Sequence, residues 1–405
     1  MFLPYYSFVI LCFNNWSLSK QAITSLIESL DVSYFQKGIE LIIINNGSED
    51  YTTLGILEME RQYQGQIHII PVHKHENMGY PVGINCGLEH CSGEIISILS
   101  NDLVFPENWF DGIRKTMEED PAIGVAVPYL SYGSGPQHLG VTFHSLDAMK
   151  EFAKNFMESH KENTIYLDRV IGACMVFKKN VIELIGGNDF WYGIGNYDDD
   201  DWSLRVRIAG FKLALVGGSF VHHIGCITFN QDPQSLNSAL TSNYYKFQNK
   251  WKLYTHDEKA REQLITTTRF NKDLHFYPVK IGQFREPIIN RNPQSGQLNI
   301  IVVADWSSQI SNWKEKIGEI ASNNQENSRF TFWIPSKYYG FWNYELEIKQ
   351  GLGKQELDVT FLNDDIPHIN LLQFLSQFDK FVTFEKDHVN RYLKSLAQHC
   401  LLDLI

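Results

Sequence analysis

Glu94-Ile95-Ile96-Ser97-Ile98-Leu99-Ser100-Asn101-Asp102 is an apolar run that stops abruptly at three polar residues. Open α/β sheets bind ligands outside the carboxyl ends of their strands, so this stop marks Asn101 and Asp102 as candidate binding residues. Upstream, β-rich runs at 7–13, 40–45 and 67–72 alternate with helical patterns at 18–30 and 54–63, and a further helix carrying Asn85, Gly87 and Leu88 leads into the quoted run. That alternation is the rhythm of βαβ units.

Downstream, residues 133–164 are rich in Gly, His and polar side chains and read as loops with a short helix over 146–156. A strand over 170–177 follows, then a helix over 180–185 ended by Gly186-Gly187, an acidic stretch, a helix over 202–209 and a strand over 212–216. The first domain is expected to span 1–230. Residues 231–297 read as a helical arm, amphipathic over 235–273, and a Pro- and Gly-interrupted linker. The alternation restarts over 298–405, which predicts a second, small, parallel α/β domain with no Gly-rich phosphate loop. Its expected role is structural or protein interaction.

The chain has 405 residues, and its 35 basic against 47 acidic side chains leave a formal net charge of −12. Hydrophobic residues at 43% and charged residues at 20% are the composition of a folded chain with a buried core. An acidic surface without a basic stripe repels phosphodiester backbones, so no nucleic-acid partner is expected. Cys12, Cys86, Cys91, Cys174, Cys226 and Cys400 are scattered without a CxxC pair and read as reduced thiols of a cytoplasmic protein. The apolar start lacks a basic n-region and a small-residue cleavage site, so it reads as a buried strand rather than a signal peptide. No run reaches the roughly 18 apolar residues that cross a bilayer, and a peripheral association at the inner membrane face stays open.

Three clusters carry chemistry: Asn101-Asp102, Asp198-Asp199-Asp200-Asp201, and His222-His223. Singly, each has a bland reading, as a turn or N-cap residue, a solvated helix N-terminus and a strand-end polar pair. Together in one βαβ-type domain they suit a diphosphate substrate. A divalent cation held by hard oxygens and an imidazole neutralises two phosphates and makes a nucleoside diphosphate a competent leaving group. Asp102 and His223 are the candidate ligands of a Mn2+ or Mg2+ ion, and the acidic run offers a general base.

In these residues the chain resembles the family 2 inverting glycosyltransferases of the GT-A fold, a Rossmann-like nucleotide-diphospho-sugar transferase fold. Phe8-Val9-Ile10-Leu11-Cys12-Phe13-Asn14-Asn15 is similar to the family's V-I-V-T-Y-N-N, and Ile43-Ile44-Asn45-Asn46-Gly47-Ser48-Glu49-Asp50 to its V-V-D-N-G-S-x-D. Asn77-Met78-Gly79 with Asn85-Cys86-Gly87 resembles its N-x-G repeat, and Leu99-Ser100-Asn101-Asp102 with Pro106 and Trp109 its L-N-x-D and P-x-x-W. Gly172-Ala173-Cys174, Gly186-Gly187, the run Asp198 to Arg205, Gly210 and His223 resemble G-A-x, G-G, E-D-x-D-L-x-x-R, G and H.

The resemblance implies a nucleoside-diphosphate sugar donor, UDP first, with Phe13, Asn14, Asn45, Asn77, Gly79, Asn101 and Asp102 around it. It implies Asp199 as catalytic base, Asp198 in place of the family's Glu on the acceptor side, Asp201 as a helix-capping acid and Arg205 as its structural partner. The implied acceptor is a growing surface glycan, a lipid-linked glycan or a glycoprotein. Two departures stand out: Asn45 replaces the family's base-contacting Asp, and Ser100-Asn101-Asp102 retains one firm carboxylate where two often occur. His222 is the alternative metal ligand. Trp191 and Tyr192 offer an aromatic wall for an acceptor sugar or, alternatively, pack a loop onto the sheet. A degenerate, partner-binding transferase is the competing functional reading; a nucleotidyltransferase would need a basic Gly-rich loop near the N-terminus that this sequence lacks.

Overall fold

The computed structural model describes residues 4–225, 233–254, 257–288, 297–322, 327–339, 343–354 and 357–405. Cys226, the expected domain boundary at 230 and part of the expected linker lie outside them. The first sheet contains β1 (Tyr6–Cys12), β2 (Ile39–Asn46), β3 (His68–Lys74), β4 (Ile95–Ser100), β5 (Leu103–Val104), β6 (Ile123–Leu130), β7 (Thr164–Leu167), β8 (Cys174–Lys178) and β9 (Lys212–His223). Its order is β3-β2-β1-β4-β8-β6-β9-β5, with β7 pairing β9. The strands β3, β2, β1 and β4 run parallel, as the βαβ rhythm predicts, and every residue of β2 is buried between two helical layers.

The sheet is mixed because β8 runs antiparallel to β4 and β6, and β5 antiparallel to β9. The strand expected from residue 170 begins only at Cys174, for a physical reason. Three successive backbone N–H groups ahead of it are taken by side chains: Val170 by Ser203 Oγ at 3.1 Å, Ile171 by Gln137 Oε1 at 2.7 Å and Gly172 by Asp199 Oδ2 at 3.0 Å. A segment whose donors are spent in this way cannot join a ladder through them, and it becomes a platform at the carboxyl edge.

The second sheet is parallel throughout, in the order β12-β11-β10-β13-β14, from β10 (Leu298–Val302), β11 (Ser328–Trp333), β12 (Asp358–Leu362), β13 (Lys380–Phe381) and β14 (Asp403–Leu404). The helical arm expected over 235–273 divides into Pro233–Trp251, Glu258–Thr267 and Lys272–His275. Lys252 takes a left-handed φ of 54° after the first helix, and Asp257 caps the second by accepting from Lys259 N–H. The first of these helices lies between the two sheets. The apolar core around the second sheet also takes in Val82, Phe190 and Trp191 from the part of the chain that builds the first.

Candidate active site

Asp102 leaves β4 and turns directly into β5, whose antiparallel pairing sets Leu103 opposite His223. That register brings His223 Nε2 to 3.3 Å from Asp102 Oδ2. Nδ1 of the same imidazole lies 2.9 Å from the Tyr132 carbonyl oxygen, a contact that needs an N–H at Nδ1 and leaves Nε2 as the acid-facing nitrogen. Burial lowers the His223 pKa, but hydrogen bonding and attraction to Asp102 outweigh it, and the net shift is upward. A carboxylate and a carbonyl-anchored imidazole form a donor set that suits a divalent cation. His222 points the other way, 2.7 Å from Ser131 Oγ and edge-on to Phe143. Among the described residues no group of three or more His, Cys, Asp or Glu side chains could hold a metal ion.

The four aspartates open the helix Asp198–Ile208, where the macrodipole favours negative charge, and each meets different surroundings. Asp200 is paired with Arg169 at 2.8 Å and Arg261 at 3.0 Å. Asp201 is buried and receives Arg205 Nε at 3.0 Å, Trp251 Nε1 at 2.8 Å and the Lys250 ammonium at 2.5 Å. Arg205 also donates to the Ile185 and Gly187 carbonyls at 2.8 and 2.7 Å and lies over the Tyr277 ring, so it ties the helix to neighbouring loops.

Asp199 is half-buried, and its Oδ2 accepts the Gly172 N–H at 3.0 Å. Burial and then Asp200 push its pKa up to about 6 against the pull of Arg169. Asp198 is buried and no cation among the described residues pairs with it; burial and then Asp199 hold its pKa well above the carboxylate range. The run therefore divides into two acids paired with cations, one buried acid without a cation and one half-buried carboxyl whose pKa is raised to about 6. Ser100 N–H donates to the Ala173 carbonyl at 2.8 Å, which joins the Gly172 platform to the strand end carrying Asp102.

The residues expected around the nucleotide gather at the same carboxyl edge. Phe13 is half-buried just beyond β1. Asn14 adopts a φ of 53°, and its Oδ1 accepts Glu49 N–H at 3.0 Å. Asn45 Oδ1 accepts Ser48 N–H at 2.9 Å while its Nδ2 donates to Thr53 Oγ1 at 2.7 Å, leaving one N–H and one lone pair of the amide uncommitted to these two bonds. Asn77 Oδ1 accepts the Gly79 N–H at 2.8 Å and Asn46 Nδ2 at 3.1 Å. Gly79, at φ 76°, has no room for a side chain, because a Cβ there would meet the Gly193 carbonyl oxygen at 2.0 Å. Asn101 turns its amide away to donate to Ser19 Oγ at 2.9 Å.

Trp191 requires a correction. It is 1% exposed and packs on Trp333, at the end of β11, and on Tyr338 just after it, with the Lys337 ammonium 4.9 Å from its ring centre. A ring enclosed in this way has no free face for an acceptor sugar. Its neighbour Asp189 is likewise buried and meets Lys250 at 2.8 Å and His368 at 3.3 Å.

Two side chains that hold the backbone around these acids were missed from the sequence. Asn243, on the inter-sheet helix, donates through Nδ2 to the carbonyls of Tyr192 at 2.8 Å, Gly195 at 2.6 Å and Asn196 at 3.3 Å. It thereby clamps the loop that feeds Asp198, in which Asn196 and Tyr197 both take positive φ. An Asn within an amphipathic helix carries no signal of this role. Tyr80 spans from the Gly79 loop to the Gly172 carbonyl at 3.0 Å. Its position directly after Asn77-Met78-Gly79 is the one available hint.

Residues 7–185 match the family profile described as Glycosyl transferase family 2. A relative in Sinorhizobium fredii (strain NBRC 101917 / NGR234), described as uncharacterized protein y4gI, is 23% identical over 231 residues, which are 54% of this chain and 24% of that protein's own length. The chain thus spans about a quarter of the relative. Among solved structures, the mannosyltransferase PcManGT from Pyrobaculum calidifontis in complex with GDP-Man and Mn2+ is 14% identical over 65% of this chain and 68% of its own, with a TM-score of 0.45. S. aureus TarS 1-349 in complex with UDP-GlcNAc is 11% identical over 64% and 70%, also with a TM-score of 0.45.

Proposed function

We propose that this chain, whose residues 7–185 match the glycosyl transferase family 2 profile, moves a hexosyl group from a nucleoside-diphosphate sugar to a hydroxyl acceptor by single displacement with inversion. The observation that carries the reading is the contrast within the acidic run. Asp199 alone combines partial exposure, a backbone N–H anchor and a pKa raised to about 6, as a general base needs near neutral pH. The acceptor O–H gives its proton to Asp199, its oxygen forms a bond to the anomeric carbon, and the bond from that carbon to the diphosphate breaks on the opposite face. The electron pair leaves with the nucleoside diphosphate.

Asp102 and His223 would hold a Mn2+ or Mg2+ ion, which when bound neutralises the leaving diphosphate. The backbone around Asn14, Asn45 and Asn77 supplies the nucleotide side, with UDP as the expected nucleotide. A surface glycan, a lipid-linked glycan or a glycoprotein is the acceptor we expect. Among the described residues no helix is long and apolar enough to cross a membrane, and a peripheral encounter with the inner face suits a lipid-linked acceptor.

The test is a thermal-shift panel of UDP, GDP, dTDP and CDP with and without each cation, followed by transfer assays on Asp199→Asn. A cation-dependent shift with one diphosphate, and a variant that binds it normally yet transfers nothing, is the expected pair of results. No shift with any diphosphate at millimolar concentration would favour a catalytically degenerate, partner-binding protein.

A further inference from the structure

Tyr80 opens the helix Tyr80–Leu88 directly after Asn77-Met78-Gly79. Its backbone N–H donates to the Ile194 carbonyl at 3.3 Å, and its hydroxyl donates to the Gly172 carbonyl at 3.0 Å. The N–H of Gly172 in turn donates to Asp199 Oδ2 at 3.0 Å, so Gly172 is gripped by its carbonyl from one side and by its N–H from the other. A Cβ on Gly172 would lie 3.5 Å from Asp199 Cβ, 3.6 Å from the Tyr80 hydroxyl oxygen and 3.7 Å from Asp199 Oδ2. Phenol and carboxylate therefore flank one small space that a side chain at position 172 would fill. Burial, and then the charges of Asp198, Asp199 and Asp102, hold the phenol neutral and hence a donor.

We propose that Tyr80 is a positioning residue for the transfer reaction: its hydroxyl fixes the Gly172 backbone, whose N–H orients the Asp199 carboxylate toward the acceptor proton. This rests on the function proposed above. It also links the Asn77–Gly79 loop, on the expected donor side, to the acid that takes the proton.

The phenylalanine variant isolates the hydroxyl, because the ring of Tyr80 packs against the apolar layer beneath it and Tyr80→Phe retains that packing. The groups that face Asp199 are Asp198 and Asp200 on its own helix, Tyr197 just before it, Arg169 on the segment leading to β8, and Tyr80 itself. Tyr80→Phe in the full chain should lower kcat roughly 10- to 100-fold, the scale of a misplaced catalytic group. It should leave the donor KM and the nucleotide-induced thermal shift unchanged. The acid limb of kcat should move upward from about 6, because a loosened Gly172 N–H favours the carboxylate less. The pH midpoint of the Gly172 amide resonance should move the same way, and that readout needs no turnover.

An unchanged kcat and amide midpoint would overturn the proposal. So would a parallel loss of kcat, nucleotide binding and melting temperature, which would make the hydroxyl merely structural. If the unmodified chain transfers no sugar, the functional reading fails by itself, while the Gly172 resonance still decides whether Tyr80 governs the Asp199 carboxyl.

Discussion

Lys246 donates to both carboxylate oxygens of Asp305, at 2.9 and 3.0 Å, across the junction between the two sheets. Asp305 follows β10, and β10 and β13 flank the point where the strand order of the second sheet reverses. Parallel α/β sheets usually take their ligands in that crevice. Here the ammonium of the inter-sheet helix approaches the acid, and it also donates to the Trp191 carbonyl at 2.8 Å. The switch point of the second sheet is thereby tied, through Lys246, to the Trp191 loop.

Breaking that pair leaves a buried carboxylate without its cation. Lys246→Met should cost about 3–5 kcal/mol, the usual penalty for one orphaned partner of a buried pair. Urea unfolding followed by tryptophan fluorescence would read it as a lowered midpoint. The double variant Lys246→Met/Asp305→Leu should recover much of the loss, and a double variant no better than the single one would count against the pairing.

Asp199 binds its proton more tightly in the folded state than its ordinary value of 3.8 allows, with a pKa of about 6. Below that value the base is protonated, so kcat should fall about tenfold per pH unit on the acid side and level off above it. The sign for stability is opposite: ionising this carboxyl weakens the fold as pH rises from near 4 through about 6. Asp199→Asn should therefore be more resistant to denaturant than the unmodified chain at pH 7.5, lose that advantage at pH 4.5, and transfer no sugar at either. An acid limb centred near 4 would remove Asp199 from the role of base.

Removing the Trp191 ring should act on folding rather than on acceptor recognition. Trp191→Ala opens a void in the shared core beside Trp333 and Tyr338 and should cost about 3–5 kcal/mol. Calorimetry and the acceptor KM check this together: a lower melting temperature with an unchanged KM is expected. A raised KM at unchanged stability would restore the acceptor-wall reading.

Asn243 puts a single amide against three carbonyls of the loop ahead of Asp198. Asn243→Asp keeps the shape but sets a carboxylate where the donor was, so kcat should drop by more than the donor KM changes. The unmade hydrogen bonds should cost about 1–3 kcal/mol in stability. Equal kcat in the two proteins would show that the loop holds its form without the clamp.

Asp102→Asn and His223→Ala should each abolish the cation-dependent part of nucleotide stabilisation while leaving the cation-free melting temperature within a few degrees. The comparison is a manganese titration at fixed nucleoside diphosphate. A cation response that survives both changes would move the metal elsewhere.

Much of the fold is legible in the primary structure because its causes are local. The alternating buried runs at β1, β2 and β4 and their polar stops depend on near neighbours, and they place Asn14, Asn45 and Asp102 along one carboxyl edge. The union of Asp102 with His223 depends on the β5–β9 register across 121 residues, and in the sequence it rested on the chemistry a diphosphate needs and on the resemblance to known glycosyltransferases. The sorting of Asp198 to Asp201 into paired and unpaired acids rests on Arg169, Arg261 and Lys250, each supplied by a different segment. The two readings of Trp191 could not be separated in the sequence because its cover arrives with Trp333 and Tyr338, well over a hundred positions downstream. β8 began later than its apolar pattern suggests because side chains consumed the preceding donors.

Asn243, Lys246 and Lys250 recur at helical spacing on the inter-sheet helix, and all three turn toward the loop and acids of the first sheet, with Lys246 also bound to the second. A shortened protein ending ahead of β10 would carry the bare Trp191 ring, an unneutralised Lys246 and an incompletely surrounded Asp189 on its new surface. Such a fragment is a candidate for precipitation rather than a minimal enzyme. Engineering a compact version would have to begin by resurfacing those three positions.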